Sequence, residues 1–218
     1  MAFKIKKINL SKIYLDNENP RHDPIDNEKD IISHLLEKED VKPLARDIAE
    51  VGGTSPLELV ALVPHGKVKN AFIPAEGNRR ICALKLLADP AKASSEQNRK
   101  YFAGLRESME NPPSLIDAVI FVDKGAARHW VSLRHEGLRG GVGAKPWNAQ
   151  QKTRFNMQGD GGAINPNIQS SLLIDYARDS KLVSEEELRQ LSVTTITRYL
   201  SNPVFRATLG LSDNRSLK

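Results

Sequence analysis

Residues 73–84 read Ile-Pro-Ala-Glu-Gly-Asn-Arg-Arg-Ile-Cys-Ala-Leu, a strand-like run, a glycine turn and the start of an apolar helix. Arg79 and Arg80 fall in the first helical turn. Free backbone N–H groups and the helix dipole favour an anion there, and a cation is ordinarily disfavoured. Two arginines at that point make sense if a phosphate lies between their guanidinium forks. They fit equally well as solvated residues or as partners of nearby Asp or Glu side chains. Glu76, two residues before Asn78, is the nearest acid. Cys82 falls on the apolar side of the helix, where a buried structural thiol is expected. His129 and His135 lie on another helix, but their spacing of six is not that of a helical zinc pair, and surface or satisfied core suits them as well as a phosphate. Gly137 to Lys145 lacks the Gly-Lys-Ser/Thr of a P-loop and follows no strand.

Several elements must position these groups. Phe3 to Leu10 partly alternates, and Ile13 and Leu15 extend the pattern, predicting a strand and its continuation up to a turn at Asp16–Arg21. Short amphipathic helices follow around Ile31–Leu36 and Leu44–Ala49, the second stopped by Gly52-Gly53. Leu57–Val63 and Ala71–Ile73 read as strands joined at His65-Gly66-Lys67. Asn78 opens a helix with apolar positions Ile81, Leu84, Leu87 and Ala88, closed by Asp89-Pro90. A helix over Glu96–Met109, a strand over Ile116–Val122 and a helix over Ala126–His135 complete this part. Residues 137–162 hold seven of the fourteen glycines and read as a hinge with a short helix near Asn148–Asn156. Beyond it the pattern is helical: Ile168–Ala177, a capping box at Ser184–Glu187, then Val193–Leu200, stopped by Asn202-Pro203.

The chain has 218 residues, of which 39% are hydrophobic and 27% charged, the composition of a globular protein and too apolar for wholesale disorder. Its longest apolar runs are far too short to span a bilayer. One cysteine excludes an internal disulfide framework. The N-terminus turns charged before a signal peptide's apolar region could form, so a cytoplasmic protein is expected. Residues 1–123 carry 18 Lys/Arg against 19 Asp/Glu, and residues 124–218 carry 14 against 8, so the whole basic excess is C-terminal. That asymmetry points to a polyanion for the second part, although a basic solvated face gives the same count.

Glu76-Gly77-Asn78-Arg79-Arg80-Ile81-Cys82-Ala83-Leu84 resembles the Gly-Glu-Arg-Arg-x-x-Ala box of the ParB/sulfiredoxin-like superfamily. Leu10 to Arg21, with its Asn-Pro-Arg, is similar to that family's opening strand and turn. Leu44 to Val60 resembles its Leu-Ala-x-Ser-Ile-x-x-x-Gly-x-x-x-Pro-x-x-Val box. Three boxes in order over about 75 residues are far more specific than one. The resemblance implies an α/β (α+β) nucleotide-binding domain over residues 1–136, a Gly-rich hinge over 137–162, and a helical, helix-turn-helix-like part over 163–218. It implies CTP or ATP as the nucleotide, with Mg²⁺ on the phosphates. Gly53, Thr54 and Ser55 would hold base or ribose, and Gly77, Asn78, Arg79 and Arg80 the triphosphate, with Arg21 and Arg134 completing the set. The departures are informative. The ParB box has a glutamate, linked to hydrolysis, where this chain has Asn78, and an amide cannot act as a carboxylate base. Glu76 is the candidate substitute, so hydrolysis is expected to be slow or absent. Sulfiredoxins have their reactive cysteine at the position of Asn78, so sulfinic acid reduction is not expected. The Glu-Asn-x-Gln-Arg motif is replaced by the run His129–His135, with Arg134 matching its arginine.

ParB proteins carry a helix-turn-helix unit after the nucleotide domain, which residues 188–203 resemble. Thr194, Thr195, Thr197 and Arg198 offer hydroxyls and a guanidinium for phosphates and base edges in a major groove, and equally for plain solvent. The expectation is a nucleotide-dependent switch on DNA, acting in segregation or phage defence, with a second copy of the chain as a possible partner and no membrane. Two rivals are a nucleotide-dependent nuclease or nickase, for which no nuclease-type acidic cluster is present, and an interaction module that has lost nucleotide binding.

Overall fold

The computed structural model describes residues 3–148, 151–152, 155 and 167–210. The chain divides into two compact units, Met1–Ala144 and Lys145–Lys218, at a point inside the Gly-rich stretch. The short helix expected near residues 148–156 lies mostly outside the described residues. Among those described, no helix is long and apolar enough to cross a membrane.

Strand β1 (Phe3–Asn9) opens the first unit. Its expected continuation is broken: Asn9 Oδ1 accepts from the Ser11 N–H at 2.9 Å and caps a 3₁₀ turn at Leu10–Lys12. That turn carries the chain from one edge of the sheet to the other. Ile13 then bridges to Phe72, and the Tyr14 N–H donates to the Phe72 carbonyl at 2.9 Å. Two helices follow, α1 (Glu28–Lys38), capped by Asn27, and α2 (Val41–Val51), ended by Gly52 in the left-handed region.

The sheet has the order β1-β4-β2-β3, with β2 at Val60–Pro64, β3 at Phe72–Glu76 and β4 at Leu115–Phe121. β4 runs antiparallel to β1 and parallel to β2, while β2 and β3 form a hairpin. Between the hairpin and β4 come α3 (Asn78–Ala88) and α4 (Glu96–Glu107), and β4 is followed by α5 (Lys124–His135). Strand alternation gives the sheet two apolar faces. Ile8, Val60, Leu62, Ile116 and Ala118 join the main core with α1–α4. Val63 and Phe121 pack with Ala127 of α5 on the other side.

The central element is α3. Sequence periodicity marks a stripe, yet Cys82, Ala83 and Leu86 are fully buried as well. A helix buried nearly all round is one held between other helices and a sheet. Burial pushes the Cys82 thiol up to about 12, with the Glu28 carboxylate adding to the rise. It therefore stays protonated through pH 8. A thiol reagent at pH 8 is expected to label Cys82 only after denaturant unfolds the chain, and rapid labelling of the native protein would contradict its placement.

The second unit contains α6 (Ile168–Asp179), α7 (Glu185–Gln190), α8 (Val193–Leu200) and α9 (Pro203–Thr208). Ser184 and Glu187 form the capping box read from the sequence. Ile174, Leu188 and Val193 make a small core. Asn202-Pro203, expected only to stop a helix, also starts one: Asn202 caps α9 and Pro203 occupies its first turn.

Candidate functional site

The site is built on Gly77, the residue between β3 and α3. Its φ is +101°, and a Cβ there would lie 2.7 Å from Val60 Cγ1. Only glycine fits on both counts. Gly77→Ala is expected to lower stability by about 2–4 kcal/mol, from the strained backbone and the overpacking together. Urea unfolding measures this, and an unchanged midpoint would show the turn is not constrained.

No side chain caps α3, and its first backbone bond runs from the Ile81 N–H to the Gly77 carbonyl. The amides of the first turn therefore remain available to an anion. Arg79 is exposed and forms no ion pair among the described residues. Asn78 is buried, and its amide grips the Asp16 backbone, accepting from the N–H at 2.9 Å. Asp16 in turn receives Lys124 Nζ at 2.9 Å on both carboxylate oxygens.

Arg80 turns inward. It donates to the Glu58 carbonyl at 2.7 Å and pairs with the Glu58 carboxylate at 3.3 Å and with Glu76 at 3.5 Å. Arg134 of α5 reaches the same two acids, Glu58 at 2.6 Å and Glu76 at 3.4 Å. The four side chains close a ring in which each guanidinium bridges both carboxylates. His135 stands 3.6 Å from Glu76, whereas His129 meets the Trp130 ring edge-on. The two histidines therefore do not converge.

The ring joins three segments far apart in sequence. Glu58 ends the loop that contains Gly53, Thr54 and Ser55; the Glu58 N–H donates to the Ser55 carbonyl at 3.2 Å. Glu76 ends β3, which runs three residues beyond the expected strand and so delivers this side chain. Arg134 comes from α5. Beside the ring lies an apolar recess of about 250 Å³, walled by Leu59, Ala61, Trp130 and Val131 with Glu76 and Arg134 at its rim.

No protein-family model matches the chain, and no curated protein matches it in sequence. Among solved structures, the chain is similar to the C-terminally truncated chromosome-partitioning protein ParB from Caulobacter crescentus, crystallised with CTP-gamma-S. The identity is 13%, the TM-score 0.36, and the match covers 97% of this chain and 81% of that one.

Set beside the sequence reading, the geometry brings Glu76, Gly77, Arg80 and Arg134 together, with Arg79 exposed at the neighbouring position of α3. Arg21 is engaged elsewhere, paired with Glu39 at 2.8 Å. Each carboxylate oxygen of Glu76 has an ion-pair partner, so in this arrangement it holds the two guanidiniums. Glu58 and the Asp16–Lys124 pair were missed. No local pattern marks them, since Asp16 and Lys124 lie 108 residues apart.

In the second unit Thr194, Thr195 and Arg198 are exposed on α8. Thr197 is placed differently. Its hydroxyl lies 2.7 Å from Asn167 Oδ1 and 2.7 Å from Ser170 Oγ, facing α6. That hydroxyl is engaged within its own unit.

Proposed function

We propose that residues 1–144 form a nucleoside triphosphate-binding domain of the ParB/sulfiredoxin-like kind, and that the second unit engages DNA through Thr194, Thr195 and Arg198. The observation that carries this reading is the start of α3, which no side chain caps among the described residues and whose first turn carries an exposed Arg79, with the guanidiniums of Arg80 and Arg134 gathered on Glu58 and Glu76. Phosphate oxygens suit open helix amides and guanidinium forks together. Gly77 lets the ligand approach the backbone, and the loop of Gly53, Thr54 and Ser55 supplies contacts to base or ribose.

The ring sets the terms of entry. Glu58 and Glu76 occupy Arg80 and Arg134 as a phosphate would, so a bound triphosphate exchanges with these carboxylates. Glu58, the more exposed acid and the one on a loop, is the one displaced. Movement of that loop and of α5 would then report occupancy to the Gly-rich stretch and the helical unit.

Magnesium fits only as a companion of the phosphates. Among the described residues no three metal-ligating side chains converge. Mg²⁺ needs only one or two carboxylates besides phosphate oxygens, and a released Glu76 or Glu58 would serve. With Asn78 committed to the Asp16 backbone and Glu76 to two arginines, hydrolysis is expected to be slow or absent.

Thermal unfolding with each of CTP, ATP, GTP and UTP in magnesium buffer tests the reading. A ligand at 100 times its dissociation constant stabilises by about 2.7 kcal/mol, so at least one triphosphate should raise the midpoint by several degrees. No shift with any of them at millimolar concentration would favour the second reading, an interaction module in which the ring is a permanent structural clasp.

A further inference from the structure

The first unit is nearly neutral overall, yet it concentrates cations at one edge. Residues 3–12 read Phe-Lys-Ile-Lys-Lys-Ile-Asn-Leu-Ser-Lys, with no acid among them. Lys4, Lys6, Lys7 and Lys12 line a groove of about 620 Å³ whose floor includes Phe72 and Ile120. None of the four lysines has an ion-pair partner among the described residues, and no carboxylate lines the groove.

This groove runs along β1, the outermost strand of the sheet. β1 pairs with β4 over all seven residues, from Phe3↔Phe121 to Asn9↔Leu115. Among the described residues no strand covers its other side. Lysines on an edge strand commonly serve to prevent edge-to-edge pairing. The other blunting devices, a very short strand, a bulge or a proline, are not used in β1, whose seven residues pair in unbroken register. It also leaves Ile5 61% exposed.

We propose that β1 accepts an acidic, extended peptide as a fifth strand, in which acidic and apolar residues alternate. Over residues 3–6 the register makes the pattern specific, while Lys7, on the face of Phe3 and Ile5, already stands opposite Asp117 of β4. Lys4 and Lys6 point to the face of Ile120 and Ala118, while Phe3 and Ile5 point to the face of Phe121 and Val119. An added strand of period two would set its carboxylates against Lys4 and Lys6 and its apolar side chains against Phe3 and Ile5. Main-chain hydrogen bonds along the open edge would supply the affinity. The inference rests on the groove and the edge alone and does not depend on nucleotide binding.

The test uses the full chain without nucleotide and a fluorescein-labelled nonapeptide alternating Glu and Val, followed by anisotropy. Controls are a peptide of the same composition with its glutamates in one block, and a ten-residue oligothymidylate. Saturable binding is expected for the alternating peptide, at least tenfold tighter than for the block peptide. Lys4→Glu with Lys6→Glu, both at exposed positions, should weaken it at least tenfold while the circular dichroism melt is unchanged. Should that variant unfold, Lys12→Glu, outside the strand, should weaken binding severalfold. Equal binding of the block peptide, displacement of the alternating peptide by oligothymidylate, or no binding would each overturn the proposal.

Discussion

Arg79→Ala is expected to weaken triphosphate binding about 100-fold or more, since two charge-assisted hydrogen bonds are worth about 3 kcal/mol together. Stability should not fall. Arg79 is exposed, with no ion pair among the described residues, and its positive charge opposes the dipole at the start of α3, so removal leaves the helix unchanged or slightly better. Arg80→Ala offers no such separation. It would leave the largely shielded Glu76 carboxylate with Arg134 as its one remaining guanidinium and lose the bond to the Glu58 carbonyl, mixing a folding defect with any loss of binding. A titration of the Arg79 variant with an unaltered melting curve therefore isolates the phosphate contact. Unchanged affinity would remove the basis for placing phosphates at this turn.

The second large effect concerns the core. Lys85 lies within α3, only 5% exposed. It pairs with Glu28 Oε1 at 2.6 Å and donates to the Ile13 carbonyl, while the same Glu28 oxygen accepts the Leu15 N–H at 2.9 Å. One carboxylate thus anchors α1, α3 and the segment crossing the sheet. Glu28→Ala would leave a buried ammonium without its counter-charge and an amide without its acceptor, and is expected to cost about 3–5 kcal/mol in chemical denaturation. Adding Lys85→Met should restore much of this, because an apolar chain of similar length removes the stranded charge. Burial holds the Lys85 ammonium below the ordinary lysine value of 10.5, even though Glu28 pulls the other way. Between the lowered value and 10.5 the unfolded chain binds more protons than the folded one, so this group makes stability rise with pH in that alkaline window. Comparing wild type with Lys85→Met from pH 8 to 10.5 checks the sign. A wild type that loses stability relative to the variant over that range would contradict the buried position.

Local chemistry was legible in the sequence and long-range pairing was not. The Ser184–Glu187 box, the glycine turn at Gly77 and the apolar stripe of α3 each depend on residues within one or two turns. The extra length of β3 could not be read because Pro74 and Glu76 weaken the strand pattern, and pairing with Ala61 and Leu62 supplies what propensity lacks. Glu58 stayed hidden because its carbonyl and carboxylate become partners of Arg80 only after the loop folds back across 22 residues. The sequence leaves the arginine pair open to two fates, and the structure separates the two side chains. Arg80 is drawn into the ring, and Arg79 faces solvent. Thr197 shows the same limit in the second unit, since helix spacing gives a residue's direction but not which neighbour stands there.

The most direct test of the central claim is a calorimetric titration of wild type and Glu58→Gln with the triphosphate that stabilises the chain most. The amide keeps the size of the side chain but gives up the charge that competes for Arg80 and Arg134. Saturable binding to wild type, and binding severalfold tighter to Glu58→Gln, is the result expected if phosphates exchange with the ring carboxylates. Weaker binding to the variant, or no heat from either protein, would show that the ring is a fixed clasp and that no triphosphate enters at α3.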